Sequence, residues 1–270
     1  MSSANSGGRA LAIAVWTLAA VVVLFAFSRE WLPPLASDHG AGVDRMLRFT
    51  MFTTGTLILA GHVMLGYMLW RFGGRSRASG AMPPEQTQRR WSLAAAAAMA
   101  LIAEGGVLAL GFPVWNQYFA TSAPDNSLTI EITAEQFAWN VRYSGPDGVF
   151  GRTEPKRITL DNPLGLDAAD PRGTDDIIGL NVIHAVVGRP VRIRLRAKDV
   201  LHSFFLPNLR VKQDAVPGMT IEFWFTPSRE GRFELACAQL CGFGHYEMKG
   251  LLIVQSAEEF ARWSAEQSRG

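Results

Sequence analysis

The sequence predicts a helical membrane anchor followed by an all-β domain. Two observations lead to this prediction. Apolar residues are concentrated in the first 120 positions, where they form three long runs. Beyond residue 127 the pattern changes to short β-rich runs separated by Gly and Pro. The 270 residues can hold one sizeable domain and a smaller unit, and the net charge of +2 gives no indication of nucleic-acid binding.

The first apolar run predicts a transmembrane helix at about residues 10–27. The run contains no charged residue, and at about 1.5 Å per residue it nearly spans a hydrocarbon core of roughly 30 Å. A cleaved signal peptide is the alternative. However, the run is longer than a usual signal core and "AFS" is a poor cleavage site, which favours a retained helix. The helix belongs to a predicted N-terminal region, 1–45, that ends in a loop outside the cytoplasm.

The second and third runs predict a transmembrane hairpin, at about 49–70 and 92–113, within a region spanning 46–120. Polar residues in the second run, His62 among them, indicate that one face packs on protein rather than on lipid. The third run contains Glu104. An ionisable group at membrane depth is costly and usually functional, so Glu104 is a candidate proton-path residue. The alternative is a carboxyl group that is hydrogen-bonded to a neighbouring subunit.

Arginines between the second and third runs set the predicted orientation in the membrane. Short loops rich in arginine stay in the cytoplasm. This loop and its flanks carry Arg71, Arg75, Arg77, Arg89 and Arg90. The β-rich half, which follows the third run, is therefore expected on the outer side of the membrane.

Residues 121–255 are predicted to form a β-sandwich or β-barrel. In "RPVRIRLRA" apolar residues alternate with arginines, as in a half-buried strand, and several such runs at short spacing are typical of an all-β domain. Residues 256–270 predict a helix, because Ser256 and Glu259 form a capping box. The acidic stretch 161–176 does not match a calcium loop and is predicted to be a solvated insertion.

The stretch "CAQLCGFGHYEM" contains the only two cysteines of the chain and offers four metal donors, Cys237, Cys241, His245 and Met248. A disulfide would close a short loop, gain little and leave the histidine and methionine unexplained. Zinc has little use for a thioether. Copper uses thiolate, imidazole and thioether together, and two cysteines can bridge two copper ions. Each copper would then need an imidazole, and His202 in "DVLHSFFLP" is the second candidate.

Together, "DVLHSFFLPNLRVKQDAVPG" and "CAQLCGFGHYEMKG" resemble subunit II of heme–copper cytochrome c oxidases, and the resemblance extends over about residues 46–255. It implies a cupredoxin-like Greek-key barrel that holds the binuclear copper centre called CuA. It also implies a multi-pass protein of the bacterial inner membrane with the copper domain on the periplasmic side. Electrons would pass from a c-type cytochrome to heme in subunit I of a proton-pumping oxidase that contains further subunits.

The resemblance implies a role for each metal-binding residue. The implied copper ligands are His202, Cys237, Gln239, Cys241, His245 and Met248. The two cysteines would bridge both coppers, and the two histidines would each complete one. The methionine would be the axial ligand of one copper, while the backbone carbonyl of Gln239 would bind the other.

Two departures from the family's pattern concern a second metal and the path of the electrons. The family usually has Glu at position 239, where its carboxylate reaches a magnesium ion at the boundary with subunit I. Gln239 lacks that charge, which leaves a magnesium site in doubt. The tryptophan at which electrons enter in the family corresponds to Phe137 in "QFAWNVRY".

Four residues are expected to receive the donor protein. Trp139 and Tyr143 remain from the family's aromatic segment, although Trp139 also fits a core position. Asp214, and with it Glu135, is expected to face a basic cytochrome c and to raise the rate of association. The alternative for Asp214 is that it only caps its turn.

A related subunit class offers the main alternative function. Subunit II of quinol oxidases shares the fold and is a structural subunit, but it has lost the copper ligands, all of which are present here. A nitrous oxide reductase would need a large propeller domain, for which this chain has no room. A lone copper carrier would not need helix pairs with polar faces.

Overall fold

The computed structural model describes residues 3–73 and 83–267. Of the arginines that set the predicted orientation, Arg75 and Arg77 lie outside the described residues. The chain divides into two compact units. The first contains residues 1–32 and 44–113, and the second contains residues 33–43 and 114–270.

The first unit contains the predicted helices. They are α1, Ser3–Phe27; α2, Gly40–Phe72; α3, Glu85–Met99; and α4, Gly105–Trp115. A π-helical turn, Ala100–Glu104, joins α3 to α4, so that these two form one long helix. Within the described residues, three helical segments are long and apolar enough to cross a membrane. The helices extend beyond the predicted apolar runs because helical hydrogen bonding continues past the residues that match the hydrocarbon core.

The predicted hairpin is built on small residues. A Cβ at Gly106 of α4 would lie 2.1 Å from the Phe49 ring of α2, and a Cβ at Gly111 would lie 3.0 Å from the sulfur of Met46. The later residue of α4 contacts the earlier residue of α2, so the two helices run antiparallel. Glycines allow this close approach between helices in a membrane protein.

The first helix packs on the second through an aromatic residue that fits over a glycine. The Trp16 indole lies on Gly66, where an added Cβ would be 2.1 Å from Nε1. The indole also donates a hydrogen bond to the carbonyl of Val63 at 3.3 Å and stacks with Trp70 at 5.9 Å between ring centroids. These contacts give α1 a defined packing surface on α2, and whether the helix is retained in the mature protein stays a prediction.

The β domain consists of ten strands in two five-stranded sheets. The first sheet has the order β3-β2-β1-β5-β8, and the second has the order β4-β10-β9-β6-β7. Their bounds are β1 Leu128–Glu135, β2 Ala138–Tyr143, β3 Ile177–Leu180, β4 Val182–Val186, β5 Val191–Ala197, β6 His202–Leu206, β7 Val211–Ala215, β8 Ile221–Phe225, β9 Gly231–Cys237 and β10 Lys249–Gln255. Two pairs, β1 with β5 and β4 with β10, are parallel. The predicted alternation in β5 is confirmed, because Val191, Ile193 and Leu195 are buried and the arginines between them are not.

A short N-terminal segment belongs to the β domain rather than to the anchor. Residues 33–43 form backbone hydrogen bonds with it, from Ala36 N to Asn208 O at 2.8 Å and from Ser228 N to Ala36 O at 3.0 Å. From the sequence, this segment is predicted to be a loop that follows the first helix, within the N-terminal region 1–45. Only long-range pairing, which has no local sequence signal, reveals its place.

The C-terminal helix α5, Ala257–Gln267, begins at the predicted capping box. Glu259 N donates to Ser256 Oγ at 3.2 Å, and Ser256 N donates to the Glu259 carboxylate at 3.2 Å. Trp263 of the helix stacks on the His184 ring at 4.0 Å. The helix thus covers the second sheet, as an amphipathic helix with one aromatic face should.

Substitution of Gly66 tests the packing of α1 on α2. Gly66→Leu should lower the melting temperature of the full chain in detergent, because the new side chain overlaps the Trp16 indole and overpacking typically costs about 1–3 kcal/mol. Gly61→Leu on the same helix is the matched control, since nothing lies within 4 Å of a Cβ there. Equal melting temperatures for the two variants would contradict the described packing.

Candidate metal centre

The predicted metal donors meet where strands of the second sheet end. His202 is the first residue of β6, Cys237 is the last residue of β9, and Met248 immediately precedes β10. These strands are neighbours in the order β10-β9-β6, and Phe204 pairs with Cys237. The register of the sheet therefore fixes the spacing between three of the donors before any metal is considered.

The donor atoms lie within a few ångströms of one another. Cys237 Sγ and Cys241 Sγ are 3.9 Å apart. Cys241 Sγ lies 3.6 Å from His245 Nδ1 and 3.7 Å from Met248 Sδ. His202 Nδ1 lies 3.2 Å from Met248 Sδ on the other side. All the side chains that the sequence predicts as ligands are therefore in one cluster.

The two cysteines are free thiols in this arrangement. Their sulfurs are too far apart for a disulfide, in which the separation is about 2.05 Å. Burial raises the pKa of the Cys241 thiol to about 11, and the neighbouring Cys237 adds to the rise. Two thiols held together out of water favour a cation that can replace both protons.

The backbone around Gln239 also turns toward the cluster. Cys237 Sγ lies 3.2 Å from the carbonyl oxygen of Gln239. The side chain of this residue is an amide, so position 239 brings no carboxylate to a hard ion such as magnesium. The carbonyl remains available as a donor, which agrees with the role that the family resemblance implies.

A second layer of hydrogen bonds orients His202. The Asp199 carboxylate is 2.8 Å from His202 Nε2 and accepts a hydrogen bond from the backbone N–H of Gln136 at 2.7 Å. Burial raises the pKa of Asp199, but the hydrogen bonds from His202, Gln136 and Val200 outweigh this effect and hold it below its usual value. An ionised Asp199 keeps the proton of His202 on Nε2. The lone pair of Nδ1, which lies next to the Met248 sulfur, is then available to a metal ion.

The loop after Cys241 depends on two glycines that lie on the Phe137 ring. Gly242 has a φ of 137°, and a Cβ there would lie 2.7 Å from the Gln136 side-chain nitrogen. A Cβ at Gly244 would lie 2.5 Å from the Phe137 ring. Gln136 also donates a hydrogen bond to the carbonyl of Cys241 at 2.5 Å. The turn between β1 and β2 therefore holds this loop in place.

Sequence reasoning missed Asp199 and Gln136 as supporting residues. Asp199 stands three residues before His202 in "DVLH", a spacing that could have suggested a hydrogen bond to the imidazole. Gln136 stands next to the aromatic segment, but no local signal ties it to the carbonyl of Cys241, which is 105 positions away.

The predicted set of docking residues needs correction. Trp139 is fully buried, with its ring 6.3 Å from that of His202, and Tyr143 is 4% exposed. Neither side chain can contact a protein docked on the surface, because both fill the core of the sandwich. At the surface, the Phe137 ring lies over the loop of the metal donors and is 37% exposed.

The two carboxylates predicted to dock the donor, Glu135 and Asp214, lie near the surface, but neighbouring residues partly neutralise their charges. Glu135 forms an ion pair with Lys198 and accepts a hydrogen bond from Asn140 at 2.7 Å. Asp214 accepts a hydrogen bond from Ser203 Oγ at 2.6 Å and lies 3.4 Å from Lys212 Nζ. Their combined field toward a partner is therefore weaker than two free carboxylates would produce.

Glu104 ends the π-helical turn in the third membrane span, and its side chain is exposed in this chain. π-Helical turns occur often at functional sites. The exposed carboxyl group leaves Glu104 open to another subunit, and its role in proton movement stays a prediction.

Apolar helices followed by a β-sandwich in which two thiols, two imidazoles and a thioether cluster together are typical of a copper-binding electron-transfer subunit. The family model described as "Cytochrome C oxidase subunit II, periplasmic domain" matches residues 128–256. A protein of Bradyrhizobium diazoefficiens named "Alternative cytochrome c oxidase subunit 2" is 35% identical over 260 residues, which cover 96% of this chain and 92% of the relative. The chain belongs to the cytochrome c oxidase subunit II family and is a subunit of a heme–copper oxidase.

A second relative and a solved structure are also similar to this chain. "Cytochrome c oxidase subunit 2" of Cereibacter sphaeroides is 26% identical over 247 residues, covering 88% of this chain and 79% of that protein. This chain also matches the crystal structure of the periplasmic domain of subunit II of cytochrome oxidase of Bradyrhizobium japonicum, with 29% sequence identity and a TM-score of 0.41. The match covers 55% of this chain and 98% of that one. The predicted fold class, a helical anchor with a cupredoxin-like domain, is confirmed by the family.

Replacement of Tyr143 tests whether it is a core residue. Its hydroxyl donates to His184 O at 3.1 Å and accepts from His184 N at 2.6 Å. Tyr143→Phe should lower the free energy of unfolding by about 1–3 kcal/mol, because a buried backbone N–H loses its partner. The KM of the assembled oxidase for a c-type cytochrome should not change. Tyr246→Phe, at a tyrosine that is 70% exposed, is the control for stability; a raised KM for Tyr143→Phe would restore its docking role.

Proposed function

We propose that this chain is the subunit through which electrons enter a proton-pumping terminal oxidase. Its donor cluster would hold a binuclear copper centre that takes electrons from a c-type cytochrome and passes them to heme in the catalytic subunit, where oxygen is reduced to water. The chain would lie in a bacterial inner membrane with the copper domain in the periplasm. The observation that carries the proposal is the convergence of Cys237, Cys241, His202 and Met248 in one buried cluster.

The chemistry of the donors favours copper over other metals. Two thiolates, two imidazoles and a thioether are soft or borderline ligands, which suit copper and leave hard cations poorly bound. Zinc in a structural site would take four donors and leave the thioether unused. Among the described residues, the donor atoms of His202, Cys237 and Cys241 all lie within 4.8 Å of one another, which fits a small metal cluster.

The protein's own residues supply rigidity and exclude water. A binuclear copper centre carries one electron at a time with little change in geometry when its ligands are fixed. Asp199 orients His202, and Gln136 holds the carbonyl of Cys241. His202 is fully buried and Cys237, Cys241 and Met248 are nearly so, so little solvent has to reorganise around them. His245 is half-buried, so it is more accessible than the other proposed side-chain ligands.

Two further residues bear on a magnesium site and on the proton path, Gln239 and Glu104 respectively. Because Gln239 offers an amide in place of a carboxylate, a magnesium ion at the boundary with the catalytic subunit would have to be held by other groups. Glu104 is proposed as a proton-path residue that faces another subunit from within the membrane. The quinol-oxidase alternative, a structural subunit, is disfavoured by the complete donor set.

Removal of one thiolate tests the proposal directly. Cys237→Ser should abolish the binuclear centre, its copper content and its electron paramagnetic resonance signal, because serine oxygen does not bridge two soft ions. Turnover with cytochrome c should fall by at least about a hundredfold, which corresponds to a barrier higher by about 2.7 kcal/mol. Ala238→Ser, at the exposed neighbouring position, introduces the same side chain without touching the donors. Normal copper content and turnover in Cys237→Ser would show that the cysteines are only structural.

Met248→Leu separates tuning of the metal from holding it. The leucine keeps the volume of a residue that is 1% exposed but removes the sulfur that lies near both His202 and Cys241. Copper should stay bound while the reduction potential shifts, because a weak axial ligand tunes the potential. Redox titration of the purified oxidase measures the shift, with Met219→Leu, an exposed methionine, as the control. Complete loss of copper would mean that Met248 anchors the metal.

A further inference from the structure

The first sheet carries charged and aromatic side chains on its outer face, where β5 pairs with the edge strand β8. Arg192 lies opposite Trp224 in this pairing, and Arg194 lies opposite Glu222. Side chains two residues apart on a strand share a face, so all four lie on the same side of the sheet. This side is turned away from the core, because the residue between the two members on each strand is buried.

The segment that follows the third membrane span crosses this face and is fixed to it by two hydrogen bonds. Trp224 Nε1 donates to the carbonyl of Thr121 at 2.8 Å, and Arg192 Nη2 donates to the carbonyl of Ala123 at 3.2 Å. A cavity of about 300 Å³ lies between the segment and the sheet. The cavity is formed entirely by residues of the second compact unit.

The cavity presents one cation and one anion. Within the described part of the chain, the Arg192 guanidinium has one hydrogen-bond acceptor, the Ala123 carbonyl, and no carboxylate pairs with it. Most of its N–H groups are therefore available to a ligand. Glu222 also lines the cavity, and its side chain is 56% exposed. Its partner Arg194, at 3.3 Å, is shared with Glu131 at 2.7 Å, so Glu222 keeps part of its charge.

The cavity lies at the depth of lipid headgroups. Tyr118 lines it and belongs to the last turn of the third membrane-spanning helix, which ends at Ala120. The predicted apolar run ends at residue 113, and the five residues from there to Tyr118 cover roughly 7.5 Å of helix. The headgroup layer is roughly 5–7.5 Å thick on each side of the hydrocarbon core. Tyr118 and Trp224 are also the residue types that membrane proteins place at this level.

A headgroup with one phosphate and one primary ammonium matches these features. Planar guanidinium groups such as that of Arg192 bind phosphate well. A primary ammonium has three N–H donors for the Glu222 carboxylate, whereas a quaternary ammonium has none, and the Trp224 ring attracts either cation. A purely anionic headgroup would meet the carboxylate with no cation to offset it. The volume is at the lower end of ligand pockets, which suits a headgroup rather than a whole lipid.

We propose that this cavity binds the headgroup of a zwitterionic phospholipid, phosphatidylethanolamine, with Arg192 as the phosphate ligand and Glu222 as the ammonium ligand. The acyl chains would leave the cavity past Phe119, which lines it and is 62% exposed. The proposal does not depend on copper, because none of the lining residues belongs to the donor cluster.

The test of the phosphate ligand uses the purified full-length chain in detergent, with short-chain phosphatidylethanolamine as the probe and native mass spectrometry as the measurement. Arg192→Gln should weaken binding about tenfold, the size expected for loss of a charge-assisted contact. Arg189→Gln is the matched control. Arg189 precedes the same strand and also donates to a backbone carbonyl, that of Asn126 at 3.2 Å, but it does not line the cavity.

Glu222→Gln separates a zwitterionic ligand from an anionic one. The change should lower the affinity for phosphatidylethanolamine about threefold, the size expected for an exposed ion pair. It should raise the affinity for phosphatidylglycerol, because the amide no longer repels an anionic headgroup. Glu234→Gln, at an exposed position of β9 in the second sheet, is the control and should change neither affinity.

Four outcomes would overturn the proposal. One is an unchanged affinity for phosphatidylethanolamine in an Arg192→Gln chain that melts at the wild-type temperature. Another is an equal fall for both lipids in Glu222→Gln. The third is tighter binding of phosphatidylglycerol or phosphatidylcholine than of phosphatidylethanolamine by the wild type. The last is displacement of the lipid by millimolar inorganic phosphate, which would indicate a site for free phosphate. Because Glu222 is exposed, its variant still decides the question if Arg192→Gln does not fold.

Discussion

The geometry of the metal centre depends on one carboxylate. Asp199 accepts hydrogen bonds from Gln136 N and Val200 N, each at 2.7 Å, and lies 2.8 Å from His202 Nε2. It therefore joins the β1–β2 turn, the β5–β6 loop and the first residue of β6. Gln136 extends the connection to the carbonyl of Cys241. Because His202 begins one strand and Cys241 lies on the loop after another, this network adds to the strand register in holding the proposed ligands in fixed positions.

The sandwich core supports this network from below. β1 and β5 belong to one sheet and β6, β9 and β10 to the other, so the donors and their supports come from both layers. Trp139 fills the space between them, with its ring 5.7 Å from that of Phe204. A side chain of this size in the core sets the distance between the layers. The aromatic segment thus contributes to the proposed copper site by packing, whereas the family resemblance implies a surface role for it.

Local patterns in the sequence predicted those features that depend on neighbouring residues. The donor spacing from Cys237 to Met248, the alternation in β5 and the capping box at Ser256 were all recognised from residues a few positions apart. Features that depend on distant contacts were not recognised. The pairing of Ala36 with Asn208 and the burial of Tyr143 follow from tertiary packing, which has no periodic signature in a single sequence.

The anchorage of the insertion shows that its position is under constraint. Arg142 is 2% exposed and pairs with Glu131 at 3.1 Å and with Asp176 at 2.5 Å. A buried ion pair gains little net stability, because desolvation of the charges offsets their attraction, but loss of either partner leaves an uncompensated charge in the core. Such an arrangement tolerates one placement of the attached segment and penalises others. A loop that only needed to be solvated would require no such fixation, so the ion pairs of Arg142 give the end of the insertion a defined position on the first sheet.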